Sequence, residues 1–249
     1  MMREETVFGP IRSRRLGSSL GINLLPRNGK LCNFDCIYCE CGWNKDGTGD
    51  RLLPTAEDVR RELSAALERC KADGTPIDSI TFSGDGEPTL NPQFAEIIDI
   101  TVALRDKHYP TAKISVLSNA TLAWKDSVFE ALRKVDNPIM KIDAPSSELA
   151  ALINRPVGHY DLEKVISSLE RFNGDFILQT MFLKAPGFSS GDWADGWMDI
   201  VRRLRPREIM VYTIDRETPE EDLEKYTVEE MEAITAPLLS EGFSIQIKG

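Results

Sequence analysis

Four of the five cysteines of this 249-residue chain lie in one short segment. The segment reads Cys32-Asn33-Phe34-Asp35-Cys36-Ile37-Tyr38-Cys39-Glu40-Cys41. Cys32, Cys36 and Cys39 form a C-x3-C-x2-C string, which puts three thiolates within reach of one centre. In a chain without features of secretion, this arrangement favours metal binding or catalysis over disulfides.

The spacing of the thiols narrows the kind of metal centre. A structural zinc ion needs four ligands, usually as two separated pairs, and His108 and His159 lie far from the segment. Three cysteines at this spacing suit a [4Fe–4S] cluster with one iron left open, which indicates chemistry rather than electron storage alone. Two alternatives stay open: a structural zinc-binding module with Cys41 as fourth ligand, and an iron–sulfur electron-transfer protein. Otherwise we expect Cys41 to be a spare thiol near the site.

The elements that must position these residues repeat as a short apolar run followed by an amphipathic helix. The apolar runs are Leu20–Leu25, Asp78–Ser83, Ala112–Ser118, Pro138–Asp143, Asp175–Leu183, Arg207–Thr213 and, shorter, Phe243–Ile247. Near-continuous apolar interiors are typical of parallel strands that are covered on both faces. Six strand–helix units predict an α/β fold, either an open (β/α)6 partial barrel or a doubly wound sheet, with a short C-terminal extra strand.

Capping signals mark where helices begin. Thr55 with Asp58, and Thr227 with Glu230, have the spacing of a capping box. Asn91-Pro92 predicts a cap followed by proline at the first helical position. Cys70 lies on the apolar stripe of the first helix, so core packing is its expected role.

One connection is much longer than the others. Residues 26–53 separate the first strand from the first helix and contain the cysteine segment. Loops of this length inside a compact domain are usually functional. We find no linker composition, so residues 1–249 are predicted to form a single domain.

Composition and charge exclude several classes of protein. A hydrophobic fraction of 41% argues against a disordered chain, and a net charge of −10 disfavours a broad nucleic-acid footprint. No apolar run approaches the ~18 residues of a membrane span, and no apolar segment follows the first residues. We therefore expect a cytoplasmic protein without membrane association. Arg12, Arg14 and Arg15 form a local basic patch suited to a phosphate, a carboxylate or an RNA backbone.

The motifs together resemble a known family. The cysteine string, with Tyr38 just before its last cysteine, is similar to the signature of the radical S-adenosylmethionine (SAM) enzymes. Ser83-Gly84-Asp85-Gly86-Glu87-Pro88-Thr89 resembles the glycine-glycine-glutamate motif of that superfamily. Segments 9–21 and 211–216 resemble one branch, the iron–sulfur oxidoreductases related to the radical SAM domain of the wyosine tRNA-modification enzymes. The resemblance covers about residues 9–242.

The resemblance implies a fold and a chemistry. The fold is a (β/α)6 partial TIM barrel with the cluster loop after strand one. Cys32, Cys36 and Cys39 would hold a [4Fe–4S] cluster, and SAM would bind its fourth iron. Reductive cleavage of SAM would give a 5′-deoxyadenosyl radical that abstracts hydrogen from a substrate. An external electron donor of the flavodoxin or ferredoxin type is implied, with a small molecule, a protein or an RNA as substrate.

Polar residues near the ends of successive strands are the candidate SAM contacts, because sites form at the carboxyl ends of strands in barrel-like sheets. Glu87 would act as a direct acceptor or as an anchor for its turn. Lys141 and Asp143 share one strand face by the period of two, as do Gln179 and Met181. The candidates are Tyr38, Gly84, Asp85, Gly86, Glu87, Ser118, Asn119, Lys141, Asp143, Gln179 and Met181, and Thr213 and Asp215 follow the sixth strand.

Overall fold

Strands and helices alternate through most of the chain in the computed structural model, which describes residues 5–13, 16–27, 29–46 and 51–249. Two compact units divide the described residues. The first unit draws on Met1–Cys32, Asn44–Ser118 and Trp124–Pro138, and the second on Asn33–Trp43, Asn119–Ala123 and Ile139–Gly249. The cysteine segment therefore contributes Cys32 to the first unit and Cys36, Cys39 and Cys41 to the second.

The first unit carries a sheet with the strand order β1-β2-β3-β4. Its strands are β1 (Val7–Ser13), β2 (Gly17–Ile22), β3 (Ser79–Phe82) and β4 (Lys113–Ser118). The pairs β2–β3 and β3–β4 are parallel, while β1 is an antiparallel edge strand. The helices of this unit are α1 (Ala56–Ala72), α2 (Phe94–His108) and α3 (Asp126–Leu132).

Helix α1 shows how the sequence specifies these elements. The Thr55 hydroxyl accepts a hydrogen bond from the backbone N–H of Asp58 at 3.1 Å, and the Asp58 carboxylate accepts one from the N–H of Thr55 at 3.0 Å. This capping box confirms the predicted start of the helix. Val59, Leu63 and Leu67 on the inner face are fully buried, and burial of such side chains contributes about 1.5–3 kcal/mol each.

The second unit carries parallel strands in the order β5-β6-β9-β11. They are β5 (Asn137–Lys141), which begins at the last residues of the first unit, β6 (Ile177–Met181), β9 (Glu208–Tyr212) and β11 (Ile245–Lys248). The helices are α4 (Ser147–Ile153), α5 (Leu162–Glu170), α6 (Ala194–Leu204) and α7 (Val228–Ser240). None of the described helices of either unit is long and apolar enough to cross a membrane.

A second, small sheet in this unit was not predicted. It pairs β7 (Leu183–Ala185) with β8 (Phe188–Ser189) and with β10 (Glu224–Lys225), all antiparallel. Strands of two or three residues are too short to show a periodic pattern, so the sequence carries no signal for them. The predicted strand Asp175–Leu183 is therefore divided between β6 and β7, and Phe182 lies between them. The N–H of Phe182 donates to the Tyr212 carbonyl, and its carbonyl accepts from the Thr213 hydroxyl.

Two further details of the fold differ from the sequence analysis. Helix α2 begins at Phe94 rather than at Pro92. The Asn91 side chain accepts a hydrogen bond from the N–H of Gln93 at 2.9 Å in the turn that leads into α2, and it also donates to the carbonyls of Leu24 at 3.1 Å and Pro54 at 2.9 Å. Strand β1 was missed because it contains Pro10, and proline is tolerated only at a sheet edge of this kind.

The end of β6 is held in place by a buried tryptophan. Trp197 on α6 is fully buried and donates its indole N–H to the Thr180 hydroxyl at 3.0 Å. Thr180 in turn donates to the carbonyl of Ile142 at 2.8 Å. Because Ile142 lies between Lys141 and Asp143, this chain of bonds fixes the segment that carries both predicted site residues.

Candidate active site

The glycine-rich loop after β3 lies against the residue that precedes Cys32. Leu31 and Gly86 form a parallel bridge, in which the N–H of Leu31 donates to the Asp85 carbonyl at 2.9 Å and the N–H of Glu87 donates to the Leu31 carbonyl at 3.1 Å. Gly86 has φ +143°, and a Cβ there would lie 1.9 Å from the Leu31 carbonyl oxygen. Only glycine permits this approach.

The carboxylate of Glu87 is engaged by its own unit. Its Oε1 atom accepts hydrogen bonds from the Ser118 hydroxyl at 2.9 Å, from the Thr89 N–H at 3.1 Å and from the Thr89 hydroxyl at 2.5 Å. The structure thus brings two predicted site residues, Glu87 and Ser118, together at the ends of β3 and β4. These bonds anchor the turn that contains Glu87.

Asn23, which sequence reasoning missed, organises the start of the same loop. Its Oδ1 atom accepts from the backbone N–H groups of Leu25 at 3.2 Å and Asp85 at 3.3 Å, and its Nδ2 group lies 3.4 Å from the Asp85 carboxylate. A Cβ on Gly84 would lie 2.1 Å from Asn23 Oδ1. The position of Asn23 just after β2 is the signal that would have suggested a role in the site.

In the second unit, Tyr38 lies at the centre of a buried polar network. Its hydroxyl donates to Asp143 Oδ2 and accepts from Lys141 Nζ at 2.7 Å. Lys141 Nζ also donates to the Tyr212 hydroxyl at 2.9 Å and lies 4.8 Å from the centroid of the Tyr38 ring. The structure therefore joins Tyr38, Lys141 and Asp143, all predicted site residues, with Tyr212, which was not predicted.

The surroundings of this network fix its protonation. Removal from water lowers the pKa of Lys141, but Tyr212, Asp143 and Cys36 outweigh that effect and hold its pKa well above the ordinary value. Burial, aided by Asp143, raises the pKa of the Tyr38 hydroxyl. A charged lysine thus faces a neutral tyrosine, which matches the direction of the hydrogen bond between them.

Asp143 connects the network to the cysteine segment through Asn154. The Asp143 carboxylate accepts hydrogen bonds from the Met181 N–H at 2.9 Å and from Asn154 Nδ2 at 2.7 Å. Asn154 Nδ2 also lies 3.4 Å from the sulfur of Cys36. Sequence reasoning missed Asn154, because an asparagine just after a helix is common as a helix end.

The cysteine segment itself is held by backbone bonds to the end of α4. The N–H groups of Asp35 and Ile37 donate to the carbonyls of Asn154 at 2.8 Å and Ile153 at 2.9 Å. Burial raises the pKa of the Cys36 thiol to about 11. Cys39 and Cys41 are half-buried, and so is Cys32 in the first unit, where its carbonyl accepts from Asn44 Nδ2 at 3.1 Å.

The remaining predicted residues have diverse surroundings. Asn119 donates to Asn33 Oδ1 at 2.6 Å and accepts from the Thr121 hydroxyl at 2.7 Å. Gln179 is buried beside Lys141 in the β5–β6 ladder. The Thr213 hydroxyl donates to the carbonyl of Phe182 and accepts from the N–H of Tyr226, which is a structural role. Asp215 and Arg12 are exposed. Arg14 and Arg15 lie outside the described residues.

The thiols of the cysteine segment are the donors that an implied metal group would use. Within the described ranges, no three His, Cys, Asp or Glu side chains converge on the position of a single metal ion. In a four-iron cluster each cysteine binds a different iron, and an N–H···S contact such as that at Cys36 is common for cluster ligands. The three thiols, with this contact at Cys36, fit such a cluster.

Sequence comparison places these features in a family. A sequence model described as the Radical SAM superfamily matches residues 29–183. A UPF0026 protein of Methanocaldococcus jannaschii is 33% identical over 71% of this chain and 53% of its own length. A UPF0026 protein of Synechocystis sp. is 32% identical over 86% of this chain and 77% of its own length. The chain spans between a third and about half of the first two curated relatives that it matches.

Solved structures support the fold. A radical SAM methyltransferase from Sphaerobacter thermophilus superposes with a TM-score of 0.70 at 17% identity, covering 92% of this chain and 65% of that one. TYW1 with a lysine-pyruvate adduct gives 0.63 at 18% identity over 90% and 74% of the two chains. Streptococcus suis SuiB bound to S-adenosylmethionine gives 0.59 at 15% identity over 92% and 46%. This likeness shows the predicted α/β partial TIM barrel, and the family match over most of the chain shows that the protein belongs to the radical SAM superfamily.

Proposed function

We propose that this chain is a radical SAM enzyme in which Cys32, Cys36 and Cys39 ligate a [4Fe–4S] cluster. The observation that carries the proposal is the C-x3-C-x2-C string inside the stretch that matches the superfamily. When bound, the cluster and SAM supply a 5′-deoxyadenosyl radical that abstracts hydrogen from the substrate. Residues 1–249 would act as one radical SAM domain.

The chain's own residues would hold the cysteine segment rigid. Tyr38 lies between Cys36 and Cys39, and its hydroxyl hydrogen-bonds to both Lys141 and Asp143. These bonds connect the backbone that carries both cysteines to the end of β5. On the other side of the string, the bridge between Leu31 and Gly86 sets the path of the chain into Cys32. Rigid ligands reduce the reorganisation that accompanies each change in cluster charge.

The groups proposed to contact SAM fall into two sets. Lys141 and Asp143 already bond to Tyr38, Tyr212 and Asn154, so we assign them to positioning. Gln179 is buried and pairs with Lys141 across the β5–β6 ladder, so we keep its side-chain amide as a proposed contact of SAM. The other proposed contacts are Gly84, Asp85, Gly86, Glu87, Ser118, Asn119 and Met181.

The proposal includes partners that the chemistry requires. An external donor of the flavodoxin or ferredoxin type would deliver the electron, and the substrate would be a small molecule, a protein or an RNA. A cytoplasmic location belongs to the same proposal, since thiols stay reduced there. SAM is a ligand of SuiB in its solved structure, and that observation supports SAM as the cofactor here.

The test is direct. The protein is purified without oxygen, reconstituted with iron and sulfide, and reduced in the presence of SAM, and 5′-deoxyadenosine is measured by chromatography. We expect the nucleoside from the unaltered chain and none from Cys36→Ala. A brown cluster without SAM cleavage would instead indicate an electron carrier, and stoichiometric zinc without any cluster would overturn the mechanism.

A further inference from the structure

Asn154 donates a side-chain hydrogen bond to the sulfur of Cys36, the middle cysteine of the proposed cluster string. Its Nδ2 group lies 3.4 Å from Cys36 Sγ, 2.7 Å from Asp143 Oδ2 and 3.5 Å from the Tyr38 hydroxyl. The Asn154 side chain is buried with an exposed fraction of 2%. A buried amide in this position has its hydrogens directed at defined acceptors.

The orientation of this amide is determined by its partners. Carboxylate oxygens accept hydrogen bonds, so Asp143 draws the NH2 side of Asn154 toward itself. Asp143 is held in turn by the backbone N–H of Met181 at 2.9 Å. With one amide hydrogen on Asp143, the second points to Cys36 Sγ.

The backbone of Asn154 is equally fixed. Its N–H donates to the Ala150 carbonyl at 2.7 Å, and its carbonyl accepts from the N–H of Asp35 at 2.8 Å, next to Cys36. Its φ of −95° is ordinary for any residue, so substitution introduces no backbone strain. Backbone and side chain of one residue thus both contact the segment that carries Cys36.

We propose that Asn154 is a positioning residue of the cluster site, whose N–H···S hydrogen bond to Cys36 raises the reduction potential of the cluster. This inference rests on the proposed function. Reduction adds negative charge, part of which resides on the cysteine sulfurs, and a hydrogen-bond donor stabilises the more negative state. Asn154 therefore makes the electron easier to accept.

The experiment compares reduction midpoints of reconstituted full chains by EPR-monitored redox titration. The variants are Asn154→Leu, which keeps the shape without the donor, and Asn154→Ser, whose hydroxyl is too short to reach the sulfur. Leu152→Ala, a half-exposed position on the same helix end, is the control. Thermal unfolding of each apoprotein separates loss of fold from loss of the bond.

For both Asn154 variants we expect roughly a tenfold smaller equilibrium constant for reduction, which equals about 59 mV for a one-electron couple. Leu152→Ala should match the unaltered chain. An unchanged midpoint in either cluster-bearing Asn154 variant overturns the inference and leaves the proposed function standing. If the unaltered chain takes up no cluster after reconstitution, both fail together.

Discussion

Lys141 Nζ lies 2.7 Å from the hydroxyl oxygen of Tyr38, although 103 residues separate the two in the sequence. The bond joins strand β5 to the middle of the cysteine string, between Cys36 and Cys39. A charged donor on a neutral hydroxyl in a buried network stabilises more than a surface ion pair does. The contribution of this hydrogen bond to the stability of the protein is therefore measurable on the apoprotein.

We expect Lys141→Met to lower the free energy of unfolding of the apoprotein by about 2 kcal/mol, because hydrogen bonds to charged groups contribute about 1.5–3 kcal/mol. Combined with Tyr38→Phe, it should show a coupling energy of about 1 kcal/mol in a double-mutant cycle measured by urea unfolding. Lys71→Met, at an exposed position on α1, is the control and should be nearly neutral.

The contribution of Lys141 to the free energy of unfolding should not change with pH in the neutral range. The folded pKa of Lys141 lies above its unfolded value, so its contribution is fully present below the unfolded pKa and is lost only as pH rises through the folded one. Between about pH 6 and pH 9 the difference between Lys141→Met and the unaltered chain should therefore stay constant. A difference that shrinks within this window would contradict the raised pKa.

Gly86→Ala should be strongly destabilising. The added Cβ would lie 1.9 Å from the Leu31 carbonyl oxygen, which is backbone and has no room to move without breaking the bridge that leads into Cys32. We expect a loss of about 3 kcal/mol or more in urea unfolding. Gly74→Ala, also at positive φ but with nothing within 4 Å, should cost only about 1 kcal/mol. Equal losses of unfolding free energy in the two variants would show that the positive φ, and not the close approach to the Leu31 carbonyl, causes the destabilisation.

The capping box of α1 predicts acid sensitivity. The hydroxyl and backbone N–H of Thr55 lower the pKa of Asp58 to about 2. Because the folded pKa is depressed, this contribution is present above the unfolded pKa and is lost as pH falls through the folded one. Asp58→Asn should cost about 0.5 kcal/mol at neutral pH, since exposed charges are screened, and nothing once the pH is well below the folded pKa. Glu57→Gln, at the same helix end but outside the box, controls for the helix terminus.

Cysteine substitutions should separate ligands from bystanders. Cys32→Ala, Cys36→Ala and Cys39→Ala are each expected to lower iron retained after reconstitution by about tenfold, because cluster binding needs every thiolate. Cys41→Ala and Cys70→Ala should retain iron at the level of the unaltered chain. Iron and sulfide analysis, with the absorbance of the cluster, provides the measurement. Loss of iron in Cys41→Ala would place that thiol among the ligands.

Local sequence signals predicted much of the fold. Apolar runs near Ile80, Ile114 and Ile209 became parallel strands, and the boxes at Thr55 and Thr227 mark the starts of α1 and α7. At Asn91 the prediction was incomplete: its side-chain oxygen accepts from the N–H of Gln93 just before α2, but its amide nitrogen also donates to two buried carbonyls from distant segments. Local propensity describes neighbours along the chain and carries no information on such partners.

By itself the sequence determined the elements and the chemistry-bearing residues, since hydrophobic periodicity, capping spacing and the cysteine string are all properties of short segments. Only the tertiary structure decided which of those residues meet. Cys36 lies 118 residues from Asn154, and Asn23 lies 62 residues from Asp85. Such pairs form because packing of strands and helices brings their ends together, and the burial that results makes each polar group require a partner.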